Sequence, residues 1–281
     1  MTSTTRWAYA ANCSLLFQEL PLLERPAAAH AAGFELIEFW WPFDTATPTP
    51  DELNAFVSAI EHAGVQLVGL NYFAGDLFGP DCGVLSIPGR EQEFRESVRT
   101  ATAIGSRLGV GAFNALYGNR VDGVEPERQD ELALENVAFA AEAAASIDAI
   151  VLVEAVSGPK PYPLRTAADA VAVVDRVAAA GHPNVGFLLD MYHLAANGDD
   201  VSAAIGRHGA AIAHVQIADL PGRGEPGSGE LDLASLLQQL SAGGYRGRVA
   251  LEYTPTSGDT LASLARLADE LPSSVSSTRE T

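Results

Sequence analysis

Eight short stretches of apolar, β-branched and aromatic residues recur along this chain: WAYAANC (7–13), FELIEFWW (34–41), VQLVGLNYF (65–73), VGAFNALYG (110–118), AIVLVEAV (149–156), VGFLLDMYH (185–193), IAHVQIAD (212–219) and RVALEYT (248–254). Longer, alanine-rich amphipathic segments separate them. Runs of this length read as buried strands, and the segments between them as helices. Repeated strand–helix alternation implies a parallel sheet with right-handed crossovers. At 281 residues, eight such repeats fit a closed (β/α)8 TIM barrel better than an open doubly wound sheet. The expected α/β domain is single and covers residues 1–272, and the polar end SSVSSTRET (273–281) reads as a disordered tail.

Local signals agree with this frame. Thr49-Pro50-Asp51-Glu52 reads as a capping box with proline at the first helical position. Gly33, Gly64, Gly109 and Gly181 each stand shortly before a strand, where a helix C-cap belongs. No GxGxxG or GxxxxGK[ST] follows the first strand, so a nucleotide-binding fold has no support. Two connections are long: 74–91 after the third strand and 218–230 after the seventh. Both fall where strands end, the side that carries chemistry in a barrel.

Charge and composition narrow the partners. The formal net charge of −19 argues against nucleic acid, whose phosphates need a basic surface. No run of 18 apolar residues and no basic-then-apolar leader pattern is present, so the expectation is a cytoplasmic protein without a membrane partner. Cys13 and Cys82 belong to no CxxC and read as reduced thiols.

Strands of a parallel barrel are normally near-continuous apolar runs. Four consecutive runs break that rule near the same end, with Glu154 in VLVEAV, Asp190 in FLLDMYH, Gln216 in HVQIAD and Glu252 in ALEYT. Crowded carboxylates repel each other and raise one another's pKa values, and a divalent cation removes that cost. An all-oxygen set of three carboxylates and an amide suits Mg²⁺ or Mn²⁺ better than zinc or copper. Taken singly, each residue also has a plainer reading: an ion-pair partner, a cap on the following turn, or a neighbour's hydrogen-bond partner. His214 shares a face with Gln216 and reads more readily as a packed barrel histidine. His193 reads as a group behind the ligands, a substrate donor or a polar loop residue. Arg223, in the glycine-rich PGRGEPGSGE, suits bidentate binding of a substrate carboxylate, or equally an ion pair with Glu225.

With these residues in view, the chain resembles the hydroxypyruvate isomerases, within the xylose isomerase-like barrels of sugar isomerases and epimerases. The resemblance covers almost the whole chain. It rests on AANCSLLFQE, GFELIEFWWPFD, AGD (74–76), IPGREQEFR (87–95), LVEAVS, LDMYH, HVQIADLPGRGEPGSGEL and GGYRGRVALEYTP, in order and spacing. It implies Glu154, Asp190, Gln216 and Glu252 as ligands of Mg²⁺ or Mn²⁺. It also implies Glu154 and Glu252 as the catalytic acid/base pair, and His193 and Arg223, with Asn71 of the third strand, as substrate contacts. The chain departs from the family at Thr254, where a lysine is usual. It departs again at LNYFAGD, where a His-Asn pair is common, and at Ala155-Val156-Ser157, where Pro-Ile-Asn is usual. The segment EAVSGPKPYPL looks more like the sister group that isomerises 2-oxo-tetronates.

The implied activity is aldose–ketose isomerisation of a small sugar acid, hydroxypyruvate to tartronate semialdehyde, through an enediolate. Rival readings on the same residues are a 2-oxo-tetronate isomerase, a ketose 3-epimerase, a metal-dependent endonuclease and a non-catalytic sugar-acid binding protein. Barrels of this type often pair, so a homo-oligomer is compatible with the sequence.

Overall fold

A computed structural model describes residues 7–158 and 160–270; the backbone of 268–270 is described without their side chains. The end of the expected domain at 272 and the tail 273–281 lie outside the described residues. All eight apolar runs contain a strand: β1 (Tyr9–Asn12), β2 (Leu36–Phe39), β3 (Gln66–Asn71), β4 (Ala112–Asn114), β5 (Ile150–Glu154), β6 (Val185–Asp190), β7 (Ile212–Ile217) and β8 (Val249–Leu251). They pair in parallel and in sequence order, and β1 closes on β8 to complete a barrel. The connecting helices are α1 (Arg25–Ala31), α2 (Pro50–Ala63), α3 (Glu91–Leu108), α4 (Pro126–Ala145) and α5 (Ala167–Ala179). They continue as α6 (Met191–Ala196), α7 (Val201–His208), α8 (Leu233–Ala242) and α9 (Thr260–Glu270).

The helices form where the local chemistry directs them. Thr49 caps α2 and Glu52 reaches back to the Thr49 N–H, so the capping box is complete. Gly64 and Gly109 end α2 and α3 in the left-handed conformation that favours glycine. On α3, Phe94, Val98, Ala101 and Ile104 recur at three- and four-residue intervals and are buried. Stripes of this kind pack the helix ring onto the outside of the strands and make the main core.

Inside the barrel the apolar packing is thin. Ala10, Val68 and Ala250 form a small cluster of their own, with Leu36 against it. A strand's side chains alternate between faces, so the next inward residue of β1, β2 and β8 after this plug is Asn12, Glu38 and Glu252. The barrel interior therefore passes from apolar to polar within one step of the pleat. Among the described residues, both cysteines are free and buried, and no helix is long and apolar enough to cross a membrane.

Candidate active site

Six strands make this apolar-to-polar step towards their C-terminal ends, and β7 is polar at both positions. The pairs are Ala10/Asn12, Leu36/Glu38, Ala112/Asn114, Leu152/Glu154, Leu188/Asp190, His214/Gln216 and Ala250/Glu252. β3 ends on Asn71, opposite Asn114. Every polar member is buried. The register sets Asn12 beside Glu38 and Asp190 beside Gln216.

Glu154 is the last residue of β5, and its Oε2 accepts from Asn114 Nδ2 at 2.7 Å. Burial, and then the charge of Asp190 beside it, push its pKa up to about 8. Asp190 ends β6 and caps α6, its Oδ1 accepting the His193 N–H at 3.0 Å. The cap, one of the plainer readings of Asp190, and its place among the carboxylates coexist, because the cap uses one oxygen. Oδ2 lies 3.8 Å from His193 Nε2 and 3.6 Å from Arg223 Nη2.

Glu252 follows β8 directly. Its Oε1 accepts from Trp40 Nε1 at 3.0 Å and Arg223 Nη2 at 2.5 Å. Burial holds its pKa well above the usual carboxylate range, although Arg223 opposes the shift. Arg223 also donates through Nε to the Glu252 carbonyl at 3.3 Å, so one whole edge of the guanidinium faces Glu252. Its backbone is left-handed, with φ 58°, a costly conformation for a residue with a Cβ. Glu225 pairs instead with Arg266 and Thr256, so the local Arg223–Glu225 pair offered by the sequence does not form.

His193 is neutral and oriented. Burial pulls its pKa down to about 4. The Ser157 N–H donates to Nδ1 at 3.0 Å, which leaves the ring proton on Nε2. That nitrogen points at the carboxylates, 3.9 Å from Glu154 Oε1.

Gln216 and His214 share a partner that the sequence reading passed over. Glu38 Oε1 accepts from Gln216 Nε2 at 2.7 Å and from Asn12 Nδ2 at 2.8 Å, and its Oε2 lies 2.8 Å from His214 Nε2. Gly69 makes room for this carboxylate, since a Cβ there would stand 3.2 Å from Oε2. The signal was present in FELIEFWW, where Glu38 interrupts an apolar run; Glu35 in the same run is exposed. Asn12, Asn114, Trp40 and Ser157 were missed as well: each meets its partner only when separate strands and loops are brought side by side.

A cation fits this arrangement. Among the described residues, Gln216 Oε1 and Glu252 Oε2 are buried with no hydrogen-bond partner. Orphaned oxygens of this kind are costly unless something positive meets them. Glu38 takes the Gln216 amide nitrogen, so the amide oxygen is the atom left available. Glu154, Asp190 and His193 each bring one ligand atom within 4.8 Å of the others. His193 stands close to the carboxylates, but with Nδ1 taken by Ser157 and the proton on Nε2 it faces them as a donor, in keeping with its sequence reading as a substrate contact. A cavity of about 360 Å³ opens beside the group, lined in part by Asn71, Glu154, His193, Arg223 and Glu252.

Comparison with known proteins agrees with this fold. The family model for the xylose isomerase-like TIM barrel matches residues 26–270. A Streptomyces coelicolor protein named, by inference, as a hydroxypyruvate isomerase is 57% identical over 87% of this chain and 89% of its own length. A 2-oxo-tetronate isomerase from Cupriavidus necator is 33% identical over 89% of this chain and 94% of its own. Among solved structures, one titled AP endonuclease, family 2, from Brucella melitensis superposes with a TM-score of 0.84 at 34% identity, covering 95% of this chain and all of that one. With its closed barrel and carboxylate-lined mouth, the chain belongs to the hydroxypyruvate isomerase family of xylose isomerase-like TIM barrels and is an isomerase.

Proposed function

We propose that the protein is a metal-dependent aldose–ketose isomerase of a small sugar acid, converting hydroxypyruvate to tartronate semialdehyde. The observation that carries this reading is a pair of buried glutamates, Glu154 and Glu252, whose pKa values are raised, beside two orphaned oxygens at one end of a barrel. Glu154, Asp190, Gln216 and Glu252 would hold Mg²⁺ or Mn²⁺. Bound there, the ion supplies positive charge that stabilises the negative charge developing on the substrate oxygens.

The residues then divide the work. Isomerisation removes a proton from C3 and returns one to C2, while the C3 hydroxyl hydrogen passes to the C2 oxygen. The intermediate is an enediolate. A carboxylate whose pKa is raised by burial is a suitable acceptor for the carbon-bound proton, and a second buried carboxylate of the same cavity can return it. Glu154 and Glu252 fill these roles. Neutral His193 offers Nε2–H to a substrate oxygen without adding charge. Asn71 and Arg223 line the same cavity.

A second substrate has a specific observation behind it. The relative from Cupriavidus necator acts, by its name, on a 2-oxo-tetronate, and EAVSGPKPYPL resembles that group. An endonuclease reading follows from one structural relative's title, but a net charge of −19 disfavours DNA.

Metal-stripped protein is the test. EDTA treatment should abolish isomerisation of hydroxypyruvate, and Mg²⁺ or Mn²⁺ should restore it. Glu154→Gln and Glu252→Gln should each lower turnover by about 10²–10⁴-fold while far-UV circular dichroism stays unchanged. Solvent deuterium should enter the carbon skeleton only with active protein. Full activity without metal, turnover of 2-oxo-tetronates alone, or cleavage of DNA containing an abasic site would replace this reading.

A further inference from the structure

Lys160 is the single lysine among the 281 residues, against 17 lysines and arginines in total. The chain uses arginine for its other strong cations, and many of those arginines are committed to carboxylates, such as Arg90 to Asp81 and Glu93 and Arg107 to Glu61. The one lysine stands in the loop after β5 and lines the same cavity as Glu154, His193, Arg223 and Glu252. The only described hydrogen bond of its side chain is a long one, from Nζ to the Leu77 carbonyl at 3.5 Å, across to the loop that follows β3. Among the described residues, no carboxylate pairs with it, although the chain carries 36 aspartates and glutamates.

A carboxylate substrate entering this mouth meets Glu154, Asp190 and Glu252 and is repelled unless a cation receives it. Arg223 spends its Nε–Nη2 edge on Glu252, which leaves its Nη1 side as what it can offer a second carboxylate. Lys160 has donors to spare. An ammonium on a flexible stem, with three rotatable donors, can follow a small carboxylate that lacks a fixed approach direction. Lys160 shares the wall of that cavity with Ser157 and Gly158 of the same loop.

We infer that Lys160 binds the substrate's carboxylate and so selects sugar acids over neutral sugars, an inference that rests on the sugar-acid reading above. It fixes the orientation of the substrate: carboxylate on the β5 loop, carbonyl and hydroxyl carbons towards Glu154 and Glu252.

The lone lysine allows a direct test. In metal-loaded protein, an N-hydroxysuccinimide acetate can acylate only Lys160 and the terminal amine, and peptide mass spectrometry reads both. D-glycerate, an unreactive acid, should slow Lys160 labelling at least fivefold and leave the terminal amine unchanged. Glycerol, which lacks the carboxylate, should protect neither. In kinetics, Lys160→Ala should raise KM for hydroxypyruvate at least tenfold and lower kcat less, and Lys160→Arg should recover most of the KM. Equal labelling with and without glycerate, or an unchanged KM in Lys160→Ala, overturns the assignment. Wild-type protein that turns over no acid would count against the proposed function instead, and the labelling experiment would still decide whether Lys160 receives a carboxylate.

Discussion

Glu38 meets three side-chain donors from two other strands and is 3% exposed, yet it reaches none of the substrate-facing groups. Its effect passes through Gln216. By accepting from Gln216 Nε2 it leaves Oε1 as the atom turned away, and an amide is a useful metal ligand only through its oxygen. Without Glu38 the amide is free to rotate and present its nitrogen instead. On the proposed function, Glu38→Ala should therefore weaken Mn²⁺ binding by about 10- to 100-fold, as removal of outer-shell partners does elsewhere. Glu38→Gln should stay within a few-fold of wild type. Its amide oxygen still accepts from Gln216 and Asn12, and His214 can change tautomer to receive its NH₂. Isothermal titration of metal-free protein with Mn²⁺ separates the two. Equal affinities in Glu38→Ala and wild type would remove the positioning role.

Arg223 depends on the loop between β7 and α8, and that loop depends on Asp219. The Asp219 carboxylate is fully buried and accepts the N–H groups of Leu220, Gly227, Gly229 and Leu231 at 2.8–3.0 Å. Arg223 is carried at the tip, and its carbonyl accepts the Thr254 N–H at 2.8 Å, tying the loop to the end of β8. Asp219→Ala strands four backbone donors. It should cost about 2–4 kcal/mol in urea unfolding, at the upper end for lost hydrogen bonds to a charged group. Turnover should fall further than the unfolded fraction explains, because Arg223 loses its support. Loss of stability with unchanged turnover per folded molecule would show that the loop does not position Arg223. This loop also shows what the sequence could reveal. Its length and its glycines were visible, as were the eight strands and the residues Glu154, Asp190, Gln216 and Glu252. The strand ends were not. The run 110–118 was read whole, but β4 stops at Asn114 while Ala115, Leu116 and Tyr117 remain buried as irregular chain. Hydropathy cannot separate a buried strand from a buried loop. In 185–193 the strand gives way to α6 at once, because Asp190 caps a helix there. The partners of Glu38 were invisible for another reason: His214 and Gln216 lie 176 and 178 residues away, and only closure of the barrel brings them to it.

For the whole molecule, the buried carboxylates set how stability responds to pH and to metal. An unfolded chain releases the Glu154 proton near the ordinary glutamate value of 4.5, whereas the folded protein holds it up to about pH 8. Between these values the native state binds the extra proton, so this group's contribution to stability declines as pH rises through the window. Glu252 adds to the decline, since its pKa is raised as well. Metal-free wild type should therefore lose more of its Tm between pH 5.5 and 8 than Glu154→Gln does, because glutamine has no proton to release. A divalent ion reverses the sign. It prefers the ionised site, must displace the retained proton at lower pH, and so binds more tightly as pH rises. The Tm increment produced by 1 mM Mn²⁺ should grow from pH 6 to pH 8 in wild type and shrink markedly in Glu154→Gln. Differential scanning calorimetry with EDTA or Mn²⁺ across that range measures both effects. An increment independent of pH would mean that the ion does not engage the group that holds the proton, and would separate the metal site from Glu154.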